Sequence, residues 1–509
     1  MNGIPLDTLP EVWANVVDKF PRKVAVIYEG QEYSYGDLNE TIIKAAQVLR
    51  SKFGLAKGDR VAVALPNCIE FFITYWAAIL SGGVIVPLNT RLRAEEMQFV
   101  VENADAKALL VHKSVWAAIE PALEGRDQPL VTCDFELDGQ MTWETLVEGD
   151  ESAPEPETTT TDDLAVIAYT SGTTGQPKGA LMDHGNIMFN VKNCLVAHSF
   201  RHEDVHMLVV PMFHCTPLYS LMPSSAYLGS TLCIAPRPQI AEVAQLIQEH
   251  KVTNFIGVPT LFHFLVTMKG FESYDFSSLK VVAYAGATMP SQTIGRLRER
   301  LPWVETRNFF GLTETTSVTH VLPSPDALNR PDSVGKALPD IGVMIADDQG
   351  NALGPGEIGE LCFRRENVVN GYWNRPGLLD ESIKDGWFHT GDLAMVDGDG
   401  YLHLRGRSKD MIIVGGENVY ANEVEAIVMG HGKVMEVAVV GVEATGVRAY
   451  LGELVKAVIV PEEGEELTEA DVKRHCSQHL ASYKVPQIVE FRSELPRNPS
   501  GKVLKRQLA

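Results

Sequence analysis

YTSGTTGQPKG, residues 169–179, closes the apolar run LAVIAY (164–169) and precedes ALMDHGNIMFN. The run reads as a buried strand, and the segment after the loop as the start of a helix. Between them stand four hydroxyl side chains (Thr170, Ser171, Thr173, Thr174), the glycines Gly172, Gly175 and Gly179, and Lys178. Glycines allow tight turns and let backbone N–H groups approach a ligand, while hydroxyls and an ammonium add donors. The composition suits a cradle for phosphate oxygens, and equally a hydroxyl-rich surface turn. It is not the G-x-x-x-x-G-K-[ST] loop of nucleotide hydrolases, because Lys178 stands between Pro177 and Gly179.

Working outward, the 509 residues exceed one ordinary domain, and the formal charge of -22 argues against a nucleic-acid groove. Seven scattered cysteines (Cys68, Cys133, Cys194, Cys215, Cys233, Cys362, Cys476) include no C-x-x-C pair, which fits a reducing compartment. Neither a signal peptide nor a membrane-length apolar run is visible, so a cytoplasmic location is expected.

On the N-terminal side, the pattern predicts a helix broken near Pro21, the strand VAVIYEG, and a helix entered near Asp37. IEFFITYWAAILSGGVIVPLN reads as a nearly all-apolar helix, a glycine stop and a strand, with Tyr75 and Trp76 in the core. Beyond the loop, MLVVPMF, GSTLCIAP and NFIGVPT are strand-like and alternate with helical patterns, the signature of an α/β domain. His198, His202 and His206 have helical spacing without accompanying acidic or cysteine ligands, so a solvated helix end is expected rather than a metal site. Past Pro331 glycine becomes frequent and short strands alternate with turns, indicating a β-rich subdomain. A second seam near 406–410 introduces a small α+β domain. ESAPEPETTTTDD (151–163) reads as a surface connector.

Four further islands have residue types costly for mere packing. NFFGLTE (308–314) joins aromatics able to stack on a purine to Glu314, a carboxylate able to hold Mg²⁺. HTGDLA (389–394) sets Asp392 in a glycine turn, where a carboxylate can accept from vicinal ribose hydroxyls. GRSKDMIIVGGENVYANEVE (406–425) places Arg407 and a glycine pair at the seam, and PSGKVLKR (499–506) holds Lys502 near the end.

Together, and in this order, the islands resemble the adenylate-forming superfamily, the acyl-CoA synthetases and their relatives. That resemblance implies an α/β fold: a large N-terminal domain (1–407) of two α/β subdomains plus a β-barrel, and a small mobile α+β C-terminal domain (408–509). It implies that Thr170, Ser171, Gly172, Thr173, Thr174, Gly175 and Lys178 handle the ATP phosphates. Phe310 would stack on adenine, Thr313 lie near the α-phosphate, Glu314 hold Mg²⁺, and Asp392 and Arg407 contact ribose. Lys409 would be the hinge, and Lys502 the lysine between the acyl carboxylate and the α-phosphate. His214, in PMFHCTP, would sit beside the acyl site, and Gly415 and Gly416 would line the CoA tunnel. Relatives with Gln-Gly-Tyr-Gly differ from Asn308-Phe309-Phe310-Gly311 here, so Phe309 is expected to narrow the acyl pocket.

The expected reaction is carboxylic acid plus ATP to acyl-AMP and pyrophosphate, then thioester formation with CoA. A medium-chain or longer fatty acid is the leading substrate, with an aryl or alicyclic acid, or a carrier-protein acceptor, as alternatives. Partners are the acid, ATP and CoA, with Mg²⁺ as cofactor. A homodimer is compatible with the sequence, whereas nucleic acid is not an expected partner.

Overall fold

Local hydrogen bonds start the chain's first helices where the sequence places them. The Glu11 carboxylate accepts from the Thr8 N–H at 2.9 Å, opening helix Leu9–Lys19. Ser34 and Asp37 form a reciprocal capping box, with Asp37 N–H on Ser34 Oγ at 3.1 Å, opening helix Tyr35–Lys52. Helix Ile69–Leu80 is buried along almost its whole length, and Tyr75 and Trp76 have no exposure. Trp76 packs on Trp13 with centroids 4.6 Å apart, so both rings belong to the core.

The computed structural model describes residues 6–92, 94–170, 177–286, 289–407, 410–414, 417–445, 452–462, 464–498 and 501–509. Two compact units emerge. The first comprises 1–285, 303–319 and 366–381, and the second 286–302, 320–365 and 382–509.

The first unit holds two sheets. One has the order Met141–Thr142, Leu130–Cys133, Ala108–His112, Arg60–Ala64, Val84–Pro87, Leu164–Thr170, Lys178–Asp183, parallel until its last pair. The other runs Glu305–Leu312, Val281–Tyr284, Asn254–Gly257, Val205–Leu208, Thr231–Ile234, Val24–Tyr28, Gln31–Ser34, again parallel until its last pair. Continuously buried strands such as Val84–Pro87 are what a sheet covered on both faces requires.

One expectation is corrected here. Residues Lys178–Asp183 are strand, not helix: Thr170 faces Lys178 and Leu164 faces Asp183 in an antiparallel ladder. Helix His184–His198 begins only after Asp183, whose carboxylate accepts from the Asn186 N–H at 2.6 Å. The pairing of KGALMD with LAVIAYT overrides its weak helical periodicity. Burial also demands glycine at 179, since a Cβ there would lie 2.7 Å from Ile167.

In the second unit, five antiparallel strands follow the order Val343–Ala346, Gly359–Arg364, Trp387–Val396, Leu402–Arg407, Ser333–Ala337. No pairing among the described residues closes these five into a barrel. The C-terminal portion adds a three-stranded sheet (Val434–Glu443, Glu453–Pro461, Ile488–Phe491) and helices Ala421–Met429 and Glu469–His479. Val424, Val428, Val455, Ile459 and Val472 form its own core. The chain is therefore a large α/β N-terminal part followed by a smaller α+β C-terminal part. No helix among the described residues is long and apolar enough to cross a membrane.

Candidate active site

Strand Glu305–Leu312 ends in a tight turn that fixes Glu314. The Thr315 hydroxyl accepts from the Leu312 N–H at 2.9 Å, and Gly311 lies so close to the returning chain that a Cβ would stand 1.4 Å from Ser317 O. Only glycine fits that approach. Thr316 and Ser317 then take φ of 51° and 85°, conformations that L-residues adopt at a cost and that concentrate at functional sites.

The half-buried Glu314 carboxylate accepts from the Tyr372 hydroxyl at 2.9 Å, and its backbone carbonyl accepts from the Val369 N–H at 2.8 Å. Lys178 Nζ lies 5.2 Å from the centroid of the same Tyr372 ring. Tyr372 is held there by backbone: Ala180 and Tyr372 form a bridge, and Trp373 N–H donates to Gly179 O at 2.7 Å. Burial, and then the adjacent carboxylate, push the Tyr372 hydroxyl far above its usual range, so it remains a donor. Thr170, Lys178, Tyr372 and Glu314 are thus joined through one short network. Sequence reading missed Tyr372; its only signal was the aromatic pair in NGYW (370–373), which lacks a helical or strand period.

On strand Glu305–Leu312, Asn308 is buried beside Tyr284, while Phe310 lies half-buried and its carbonyl accepts from Thr319 Oγ1 at 3.1 Å. Thr313 is half-buried in the turn, its carbonyl accepting from Thr316 N–H at 3.1 Å. Phe309 meets the edge of the His198 ring at 5.0 Å; His198 stacks on Phe200 at 5.0 Å, and Phe200 meets His206 at 4.5 Å. The four rings form a buried column, none more than 7% exposed. His198 and His206 are therefore not at a solvated helix end; long-range packing against Phe309 and Phe200 buries them. Only His202 is exposed, with Nδ1 2.8 Å from Leu228 O. Burial depresses His198 to about 3 and His206 to about 4, so both rings are neutral near pH 7.

His214 is half-buried against Phe213, centroids 4.6 Å apart, just before the π-helical turn Thr216–Leu221. Such turns recur at functional sites. Asn190 secures this one, donating to Tyr219 O at 2.8 Å and accepting from Val318 N–H at 3.1 Å.

In the second unit, Asp392 faces Arg407 across the strand pair, and its N–H donates to Thr390 Oγ1 at 3.1 Å. Lys502 is exposed; its N–H donates to Asn498 Oδ1 and its carbonyl accepts from Asn498 N–H, both at 2.8 Å. Ser171, Gly172, Thr173, Thr174, Gly175, Lys409, Gly415, Gly416 and the Arg407 side chain lie outside the described residues.

A family model described as "AMP-binding enzyme" matches residues 13–373, and one described as "AMP-binding enzyme C-terminal domain" matches residues 423–502. A feruloyl-CoA synthase of an Amycolatopsis species is 34% identical over 95% of both chains. A long-chain-fatty-acid–CoA ligase of Bacillus subtilis is 31% identical over 99% of this chain and 94% of its own. Among solved structures, the O-succinylbenzoate coenzyme A synthetase of Bacillus subtilis, in complex with ATP and magnesium ion, superposes with a TM-score of 0.85 at 28% identity. It covers 98% of each chain. The chain belongs to the AMP-binding enzyme family, in its acyl-CoA ligase branch.

Proposed function

We propose that this chain is an aryl or alicyclic carboxylate–CoA ligase. The reaction class is that of an AMP-forming acid–thiol ligase, with Mg²⁺-ATP and CoA as co-substrates. What distinguishes such enzymes is the acid, and one observation supports a compact one. The Phe309–His198–Phe200–His206 column fills the space behind Phe309 with buried rings. A flexible alkyl tail needs an open channel, whereas a flat ring needs only a short, wide pocket. This reading takes the place of the fatty-acid expectation.

In the proposed mechanism, the carboxylate of the acid attacks the α-phosphorus and pyrophosphate leaves. The approach of two anions must be offset by positive charge, for which Lys502 is assigned. Lys178 and the Thr170 hydroxyl serve the departing phosphates, and Phe310 the adenine face. Asp392 and Arg407 take the ribose. Glu314 fits Mg²⁺ as a hard, half-buried carboxylate oriented by Tyr372, consistent with an ion that keeps water and phosphate as its other ligands. When bound, the ion neutralises phosphate charge. His214 stands beside the acid, and Gly415 and Gly416 are assigned to the thiol path. We further assign residues 408–509 to a mobile domain hinged at Lys409, and a cytoplasmic location.

The test is an acid panel from acetate to dodecanoate with benzoate, cyclohexanecarboxylate and cinnamate, read as pyrophosphate release with and without CoA. The proposal expects the highest kcat/KM among the cyclic acids. A maximum at dodecanoate would overturn it.

A further inference from the structure

The turn bearing Asp392 is held by a carboxylate that the reaction itself does not use. Strand Gly359–Arg364 pairs with Trp387–Val396, but the register breaks: Glu360 faces Leu393 while Cys362 faces His389. Opposite Leu361 alone stand Thr390, Gly391 and Asp392, so the second strand bulges by two residues. Gly391 takes φ +76, which favours glycine.

Glu360 spans this bulge. Its Oε1 accepts from the Gly391 N–H at 2.8 Å, and its Oε2 lies 2.7 Å from His389 Nδ1. Thr390 Oγ1 donates to Leu361 O at 2.7 Å and accepts from the Asp392 N–H at 3.1 Å. One side chain therefore grips the residue before the bulge and the N–H of Gly391, the residue immediately ahead of Asp392.

Cys362 Sγ lies 3.5 Å from the same His389 nitrogen, so these three side chains offer a set of metal-ligand atoms. A hydrogen-bond network accounts for them better. His389 and Glu360 already satisfy one another, the Cys362 thiol donates to Glu360 O at 3.6 Å, and burial pushes that thiol up to about 12, keeping its proton.

We propose that Glu360, with His389, is a positioning residue for nucleotide recognition. It holds the bulge so that the Asp392 carboxylate meets the vicinal hydroxyls of the ATP ribose. This rests on the assignment of Asp392 to ribose, and the test separates the two.

Adenylation is measured with ATP and with 2′,3′-dideoxy-ATP for wild type, Asp392→Ala, Glu360→Ala and Glu360→Gln. Wild type should favour ATP, and Asp392→Ala should lose that preference. Glu360→Ala should raise the KM for ATP roughly tenfold with kcat changed less than about twofold, the size expected when a charge-assisted hydrogen-bond pair is removed. It should leave the KM for dideoxy-ATP unchanged. Glu360→Gln should restore the preference, since its amide oxygen can accept from Gly391 N–H and its amide N–H can donate to the other His389 tautomer. Should Glu360→Ala not fold, Glu360→Asp, too short to span both partners, should show the same loss. If wild type does not distinguish the two nucleotides, the ribose assignment of Asp392 falls. If Asp392→Ala loses the preference while Glu360→Ala or Glu360→Asp keeps it, the positioning role falls and the ribose assignment stands.

Discussion

Tyr372 shows how much a single side chain can decide in this site. Its hydroxyl donates to Glu314 and its ring lies beneath Lys178, so it ties the cation assigned to the ATP phosphates to the carboxylate assigned to Mg²⁺. Tyr372→Phe removes only the first tie. Adenylation should then slow by about tenfold, the usual worth of one hydrogen bond to a charged group, with a raised Mg²⁺ requirement. Tyr372→Leu should slow it further, because the cation–π contact is lost as well. A magnesium titration of pyrophosphate release checks both, and an unchanged magnesium dependence in Tyr372→Phe would separate Tyr372 from Glu314. Lys502 belongs to the same scale. Lys502→Ala should abolish acyl-AMP formation yet convert supplied acyl-AMP and CoA at nearly the wild-type rate, since pyrophosphate has left before the thiol attacks. Equal loss of both half-reactions would contradict its assignment.

Strand Glu305–Leu312 is the element that carries residues assigned to both the nucleotide and the acid. Side chains alternate along a strand, so Phe309 and Arg307 share a face while Asn308 and Phe310 share the other. Arg307 fixes that first face on helix His184–His198, donating to Ala197 O at 2.8 Å and Ser199 Oγ at 3.0 Å. Phe309 is thereby pressed onto His198. Phe309→Ala should shift the acid optimum toward longer aliphatic chains by emptying the head of the ring column. It should also cost about 3 kcal/mol of stability or more, as for other buried Phe truncations. The acid panel and a urea melt read the two effects separately. A lost fold stability without any change in acid preference would place Phe309 in the core alone.

At the scale of the molecule, buried histidines make the first unit acid-sensitive. Burial lowers His184 to about 4, His198 to about 3 and His206 to about 4. An unfolded histidine titrates near 6.5, so below that pH the unfolded chain binds protons that the folded unit refuses. The associated stability is fully present above pH ~6.5 and is lost as pH falls toward the folded values, by up to about 1.4 kcal/mol per pH unit for each ring. His403 in the second unit has the opposite sign: its hydrogen bond to Asp332 raises it, giving stability that is lost as pH rises. The first unit should therefore melt earlier at pH 5 than at pH 7, and His198→Asn should make that dependence shallower by about one proton. Calorimetry across this range tests it; an unchanged slope would mean that His198 accepts a proton in the folded state. A second prediction at this scale concerns the hinge assignment. Lys409→Pro fixes φ and restricts Ser408, so it should form acyl-AMP but transfer the acyl group to CoA at least about tenfold more slowly. Single-turnover decay of labelled acyl-AMP is the measurement, and a wild-type decay rate would remove the hinge from Lys409.

Sequence alone determined what depends on near neighbours. The helix entry near Asp37, the glycine stop after Leu80 and the apolar strands are local patterns, because helix starts and periodicities are set by residues a few positions apart. The islands assigned to nucleotide handling were legible for a related reason: each packs glycines, aromatics and charged residues of types costly for mere packing into a few consecutive positions. Contacts across long stretches of chain were decided by the tertiary structure. Tyr372 meets Glu314 across 58 residues, and Glu360 meets His389 across 29. His198 looks like an exposed helix end until Phe309, more than a hundred positions later, closes over it. ALMD looks like the start of a helix until it pairs with LAVIAYT. In each case the local signal is ambiguous, and a partner distant along the chain settles burial and hydrogen bonding.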